Sequence, residues 1–253
     1  MINPNLHKKP AVLDSNSHRD LKVGKPLDDW SVAANMNAMF VASVEFGDVC
    51  LEYPILFVNA GNDTAGTRQV APIAVFGLSD QENLYVEGST LRAGYVPALL
   101  RAYPFGVARV ADDRVMVIID EGWSGWSKDS GQPLFDAEGK PTDYVSGVRD
   151  HLEKVEIEIQ RTRLFGQALI DADLLAEMRF DAELPTGQKL SVDGFLTVDE
   201  KKLGALSDEK ILELSKNGAM ALIHAHQVSM RHMRKLVDWR LAREAAAAAA
   251  PKP

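Results

Sequence analysis

The chain has 253 residues, of which 46% are hydrophobic and 25% charged, a balance that supports a buried core and sets it apart from disordered chains. Lys and Arg number 28 against 36 for Asp and Glu, a formal charge of −8, which argues against a broad nucleic-acid or anionic-membrane footprint. The single cysteine, Cys50, excludes an intramolecular disulfide and, lying in the apolar run 46–56, reads as a buried inert thiol.

Residues 1–25 are polar with little periodicity and read as an N-terminal arm with one short edge strand near 21–23. No apolar stretch of signal-peptide length follows Lys8 and Lys9. The longest apolar runs, 72–78 and 218–223, fall short of the ~20 residues that span a bilayer. A cytoplasmic protein without integral membrane insertion is therefore expected.

Over 32–52, Met36, Met39, Phe40, Val44 and Cys50 follow an approximate 3.6-residue period and predict a first helix, with Asp28, Asp29 or Ser31 as its cap. Pro54 ends it. Ile55-Leu56-Phe57-Val58 reads as a buried strand closed by Asn59-Ala60-Gly61-Asn62-Asp63, and 70–78 and 83–86 as two more strands. A short helix at 95–102 stops at Pro104, and 105–110 with 114–119 predicts a hairpin across Ala111-Asp112-Asp113. Residues 121–142 hold four glycines and two prolines beside Trp123 and Trp126 and predict a long loop of the kind that tends to be functional.

The longest helical pattern covers 144–175, with Val148, Leu152, Val155, Ile159, Thr162, Phe165 and Leu169 on one stripe. Residues 180–184 and 189–198 flank Pro185-Thr186-Gly187-Gln188, a hairpin signal. Ser207 caps a helix through Lys216, Gly218 stops it, and 219–243 predicts a last long helix. Residues 244–253 read as a disordered Ala/Pro tail. Strands and helices segregate, so the expected fold is α+β: an antiparallel sheet of several short strands packed by helices at 144–175 and 219–243, in a single domain over 26–243.

Several groupings could carry chemistry. His224 and His226 are two apart, about 200° around a helix, whereas helical metal motifs use i and i+4, which favours a core histidine over a metal pair. Asp120-Glu121 and Asp199-Glu200 each follow a strand; they would serve as acid, base or metal ligands if the ends converge, and as turn or cap residues otherwise. Tyr53-Pro54, Tyr103-Pro104 and Tyr95-Val96-Pro97, with Trp123, Trp126 and Phe135, could line a groove for an extended peptide. No P-loop, G-x-S-x-G or G-x-G-x-x-G pattern is present, so no cofactor and no nucleophilic machinery is expected.

Tyr53-Pro54-Ile55, Gly77-Leu78 with Glu82-Asn83-Leu84-Tyr85-Val86, Tyr95-Val96-Pro97-Ala98 and Tyr103-Pro104-Phe105 resemble the SapC-like family. The likeness continues through Ile119-Asp120-Glu121, Gly131-Gln132-Pro133-Leu134-Phe135-Asp136 with Gly139-Lys140-Pro141, Gly194-Phe195 with Val198-Asp199-Glu200, and Ala225-His226 with Ser229. That family takes its name from a surface-layer locus and has no established enzymatic activity to carry over. The resemblance implies an accessory role in surface-layer or outer-membrane substrate handling, and relatives look to be encoded near TonB-dependent receptors and halogenase-like or cupin-like proteins. Two expectations follow. One is a non-catalytic protein that binds a peptide or partner protein of a surface or uptake system. The other is a metal-assisted enzyme in which Asp120, Glu121, Asp199, Glu200 and His226 converge.

Overall fold

The computed structural model describes residues 2–109, 115–183 and 189–249. The first half of the chain forms β1 (Pro10–Val12), β2 (Lys22–Val23), β3 (Ala38–Phe40), α1 (Phe46–Glu52), β4 (Ile55–Asn62), β5 (Arg68–Val75), β6 (Val86–Glu87), β7 (Thr90–Leu91), α2 (Ala98–Arg101), β8 (Phe105–Arg109) and β9 (Val115–Asp120). The second half forms β10 (Trp126–Ser127), β11 (Gln132–Pro133), α3 (Asp143–Asp171), β12 (Leu175–Glu183), β13 (Lys189–Val198), α4 (Glu200–Gly204), α5 (Asp208–Lys216), α6 (Ala219–Ser229) and α7 (His232–Ala249). The fold is α+β, with antiparallel sheets, one long helix and a helical C-terminal region.

Two compact units are distinguished. The first comprises Met1–Ala33, Val86–Leu91 and Val96–Ile157; the second comprises Ala34–Tyr85, Arg92–Tyr95 and Glu158–Pro253. In the first unit, β8 and β9 pair antiparallel with Phe105 opposite Ile119 and Val107 opposite Val117, so the two-residue period of the strands puts these side chains on one face. That face packs on Leu134, Phe135, Val145 and Leu152, the last two from the first half of α3. The N-terminal arm is built into this unit. Its β1 adds to the edge of β9, and its β2 lies between β10 and β11. The 121–142 segment is therefore ordered by two short strands, and Gly131, at φ +118°, passes so close to the Val23 carbonyl that any side chain there would collide with it.

The second unit carries a five-stranded antiparallel sheet in the order β12-β13-β4-β5-β3. Ile55, Leu56 and Phe57 of β4 are all buried, which is why the strand reads as a continuous apolar run and not an alternating one. From the second half of α3, Phe165 packs its ring on Phe46 and Phe57, at 5.8 and 6.1 Å between centroids. The α3 stripe from Leu152 to Leu169 is buried as its period predicts, and Thr162 in that stripe accepts the Ser43 N–H at 2.8 Å.

Four expectations need correction. Only Phe46–Glu52 of the helix expected over 32–52 is α-helical. Residues 38–40 instead pair with Ile73–Val75 at the sheet edge, where Met39 is buried, while Val44, part of the helical period, is left exposed. Residues 83–85 do not form a strand; only Val86–Glu87 do, pairing with β7. The helix expected over 219–243 breaks at Met230 and Arg231 into α6 and α7. Ser229 accounts for the break: its hydroxyl donates back to the His226 carbonyl and accepts the Ile55 N–H at 2.9 Å, which takes that carbonyl out of the helical ladder. The alanine run expected as a tail continues α7 through Ala249, as alanine's helix propensity favours. The turns at 111–113 and 185–188 lie outside the described residues.

Candidate functional site

In the first unit, Asp120 closes β9 and is only 1% exposed. Its Oδ1 accepts the N–H groups of Lys9 at 2.8 Å and Gly122 at 3.0 Å, and its Oδ2 accepts the Tyr103 hydroxyl at 2.8 Å. Burial alone would raise the pKa of this carboxyl. The donors from Lys9, Tyr103, Gly122 and Lys8 outweigh it and hold the group below the ordinary carboxylate range. The same carboxylate and burial push the Tyr103 phenol well up. Asp120 thus stays ionised and Tyr103 stays a neutral donor, locked in orientation.

That lock fixes a cluster of rings. Tyr103 meets Trp123 edge-on at 6.4 Å, and Trp123 meets Trp126 edge-on at 5.0 Å. The Trp126 indole N–H donates to the Asp120 carbonyl at 2.7 Å, and its ring packs on Phe105. Glu121, half exposed, accepts from His18 Nε2 at 3.2 Å; His18 Nδ1 accepts the Asp14 N–H, so Nε2 carries the proton.

Tyr103, Phe105 and Trp123 form one wall of a cavity of about 580 Å³. Tyr144, Gly147, Val148 and Leu152 of α3 line it as well, and the Tyr144 ring meets Phe105 edge-on at 6.0 Å. Val23, Pro26 and Leu27 contribute further apolar surface, Arg101 and Asp143 bring charge to the lining, and His151 adds an imidazole. Two lining groups keep unused donors. Among the described residues neither Trp123 Nε1 nor Tyr144 Oη has a hydrogen-bond partner, although Trp123 is 6% exposed. No sealed side-chain nitrogen or oxygen among them lacks a partner, so both atoms keep an opening to solvent. Burial raises the Tyr144 pKa, which keeps its hydroxyl protonated. A Cβ built on Gly147 meets nothing within 4 Å, so the absent side chain there is open space beside the cavity.

The other expected residues have local tasks. Phe135 is buried in the first unit's core, and it borders a second, smaller cavity with Val145 and Arg149. Tyr53 is buried in the second unit and donates to the Tyr95 carbonyl at 2.7 Å, while the Tyr95 hydroxyl donates to Glu45 at 2.8 Å. Asp199 caps α4 by accepting from the N–H groups of Lys201 and Lys202, and Glu200 is exposed in the first turn.

His226 is fully buried. Its Nδ1 donates to the Ile55 carbonyl at 2.7 Å, and its Nε2 accepts the Val198 N–H at 3.2 Å beside the Thr197 hydroxyl at 3.0 Å. Burial lowers its pKa to about 4, against the raising effect of the Ile55 carbonyl. A metal would have to displace these bonds, and the imidazole ties β4, β13 and α6 together as a core histidine, the reading that its spacing from His224 favours. Asp120 and Glu121 belong to one unit and Asp199, Glu200 and His226 to the other; Asp120, Glu121, Asp199 and His226 are each hydrogen-bonded within their own. Among the described residues no group of three or more His, Cys, Asp or Glu side chains is placed to hold a metal ion.

Sequence reasoning found Tyr103 and Trp123 but missed the α3 wall. Tyr144 and Val148 read only as part of a buried stripe, and Gly147 gave no signal because its contribution is an absence.

The SapC family model matches residues 13–236. The chain belongs to the SapC family. No curated protein and no solved structure matched it. Among the described residues of this SapC-family chain, no helix is long and apolar enough to cross a membrane.

Proposed function

We propose that this SapC-family protein is a non-catalytic binding protein that recognises a peptide segment of a partner in surface-layer or outer-membrane substrate handling. The surface-layer association comes from the family resemblance; the peptide association comes from the cavity. The observation that carries it is the coincidence, in one unit, of an aromatic wall held rigid by Asp120 with two donors, Trp123 Nε1 and Tyr144 Oη, that the chain itself leaves unused. Mostly apolar pockets with a few placed polar groups are what small ligands and peptide side chains enter. Of the groups that would do acid–base or metal chemistry, Asp120, Asp199 and His226 are engaged by backbone contacts.

Selection of a displayed random-peptide library on the purified protein, counter-screened with Gly147→Leu, tests this function. The leucine has room at its Cβ and adds bulk at a residue that lines the cavity, and replacing a helical glycine favours α3 by up to about 1 kcal/mol. Enriched peptides should lose binding to a variant that is as stable as the parent. Failure to enrich any peptide, or enrichment indifferent to the leucine, would overturn the proposal.

A further inference from the structure

We infer that the first unit carries a second binding site, at the smaller cavity beside Phe135, and that its ligand is a medium-chain alkyl carboxylate, a fatty acid. The cavity holds about 410 Å³, within the range of small-molecule pockets, and shares no lining residue with the larger one. Phe135 and Val145, buried in the core of the unit, line it together with Leu13 and Val117, which pack against that core. Pro141 and Met116 complete the apolar lining. Met116 is exposed and brings an unbranched, adaptable side chain. An alkyl chain covers such a surface without bringing polar atoms that would need partners.

The polar side chains of the lining are Ser146 and Arg149, three residues apart on α3 and so neighbours on the helix surface. Among the described residues the Ser146 hydroxyl has no hydrogen-bond partner. The Arg149 guanidinium has only Glu153, Nε to Oε1 at 3.7 Å, beyond hydrogen-bonding distance. These two side chains are 57% and 52% exposed, and so loose a surface pair leaves the guanidinium free to take a second carboxylate. Among the described residues no acidic side chain lines the cavity, so the charge it presents is that of Arg149. The head of the ligand is therefore an anion. A carboxylate matches the fork of the guanidinium and accepts the Ser146 hydroxyl as well. A peptide terminus would also bring a carboxylate, but it carries amide N–H groups into a lining whose one uncharged polar side chain is that hydroxyl.

The test is calorimetric titration of the full chain with hexanoate, octanoate and decanoate below their micelle concentrations, with octanol, octylammonium and the free acid of acetyl-Gly-Leu for comparison. Octanoate should bind, and hexanoate more weakly by about 3- to 4-fold for each methylene lost. Octanol should bind about 3- to 10-fold more weakly than octanoate, and octylammonium and the peptide acid should not bind. Arg149→Met, which keeps most of the stem, should erase the preference for octanoate over octanol, and Arg149→Lys should restore part of it. Ser146→Leu adds bulk at the lining and should abolish binding with the melting temperature kept. Arg149 is exposed, so its variants keep the test decisive should Ser146→Leu fold poorly. Labelled methionine methyl groups locate the ligand, because Met116 lines this cavity and no methionine lines the larger one; the Met116 signal, assigned with Met116→Leu, should move on adding octanoate. Octanoate that does not bind, that binds equally to Arg149→Met, or that binds no better than octanol would overturn the assignment. Binding that leaves the Met116 signal in place would overturn this cavity as the site, and peptide acid binding in place of octanoate would overturn the fatty acid as its ligand. None of these results bears on the peptide-binding function, whose test uses the larger cavity.

Discussion

Asp120 at the end of β9 in the first unit and His226 on α6 in the second are both buried polar centres, yet their surroundings differ in what they leave over. Around His226 each ring nitrogen is used, by Ile55 on one side and by Val198 and Thr197 on the other. Nothing remains to bind. Around Asp120 the carboxylate is equally satisfied, but it holds Tyr103, and beyond Tyr103 lie a cavity and two donors without partners. A satisfied polar group in a core marks scaffold. A satisfied group that orients an unsatisfied neighbour at a cavity marks a site.

The largest effect expected from this contrast is on stability, in the second unit. His226→Ala leaves the Ile55 carbonyl and the Val198 N–H without their partner, and removal should cost about 3 kcal/mol in chemical denaturation with peptide binding unchanged at temperatures where the variant is folded. A loss of binding without a loss of stability would reverse the roles of the two centres.

The same centre sets a pH dependence. The unfolded chain protonates this imidazole below its ordinary value of 6.5, whereas the folded chain resists until about 4, so stability is full above that window and falls as pH drops through it. The His226 contribution to the fall approaches about 3 kcal/mol. His7 and His232, also lowered by burial, act in the same direction. Urea midpoints measured between pH 7 and 4 should decline for the parent and decline less for a folded His226→Gln variant.

In the first unit, Tyr103→Phe removes the hydroxyl from Asp120 and should cost about 1.5 kcal/mol. It should also weaken peptide binding several-fold, because the ring that it frees is a cavity wall. An affinity unchanged within twofold would separate the carboxylate network from the site. Smallest is Asp199→Ala, which removes the α4 cap and should lower stability by about 1 kcal/mol without touching binding, measurable as a shift of the thermal midpoint.

Much of this was legible in the sequence where local pattern and burial agree. The α3 stripe, the pairing of β8 with β9, and the Ser207 cap follow directly from period and turn chemistry. The segment 32–52 was not legible, because its apolar spacing fits a helix while Ala38–Phe40 is claimed by the edge of a distant strand. The break at Met230 was hidden for a related reason: Ser229 acts through Ile55, far away in sequence. Of the site, the rings Tyr103 and Trp123 stood out by type. The partnerless state of Trp123 Nε1, the aim of Tyr144 and the empty space at Gly147 are relations between residues brought together by folding, and no local pattern encodes them.

The most direct test of the central claim uses the four tryptophans of the chain as reporters in a nitrogen–proton correlation spectrum, with indole signals assigned by single Trp→Phe variants and a selected peptide added stepwise. The Trp123 indole N–H should move downfield as it acquires an acceptor. The Trp126 indole N–H, already bonded to the Asp120 carbonyl, should move much less, and that of Trp239 in the second unit should stay. A titration that shifts Trp239 while Trp123 remains in place would contradict the account.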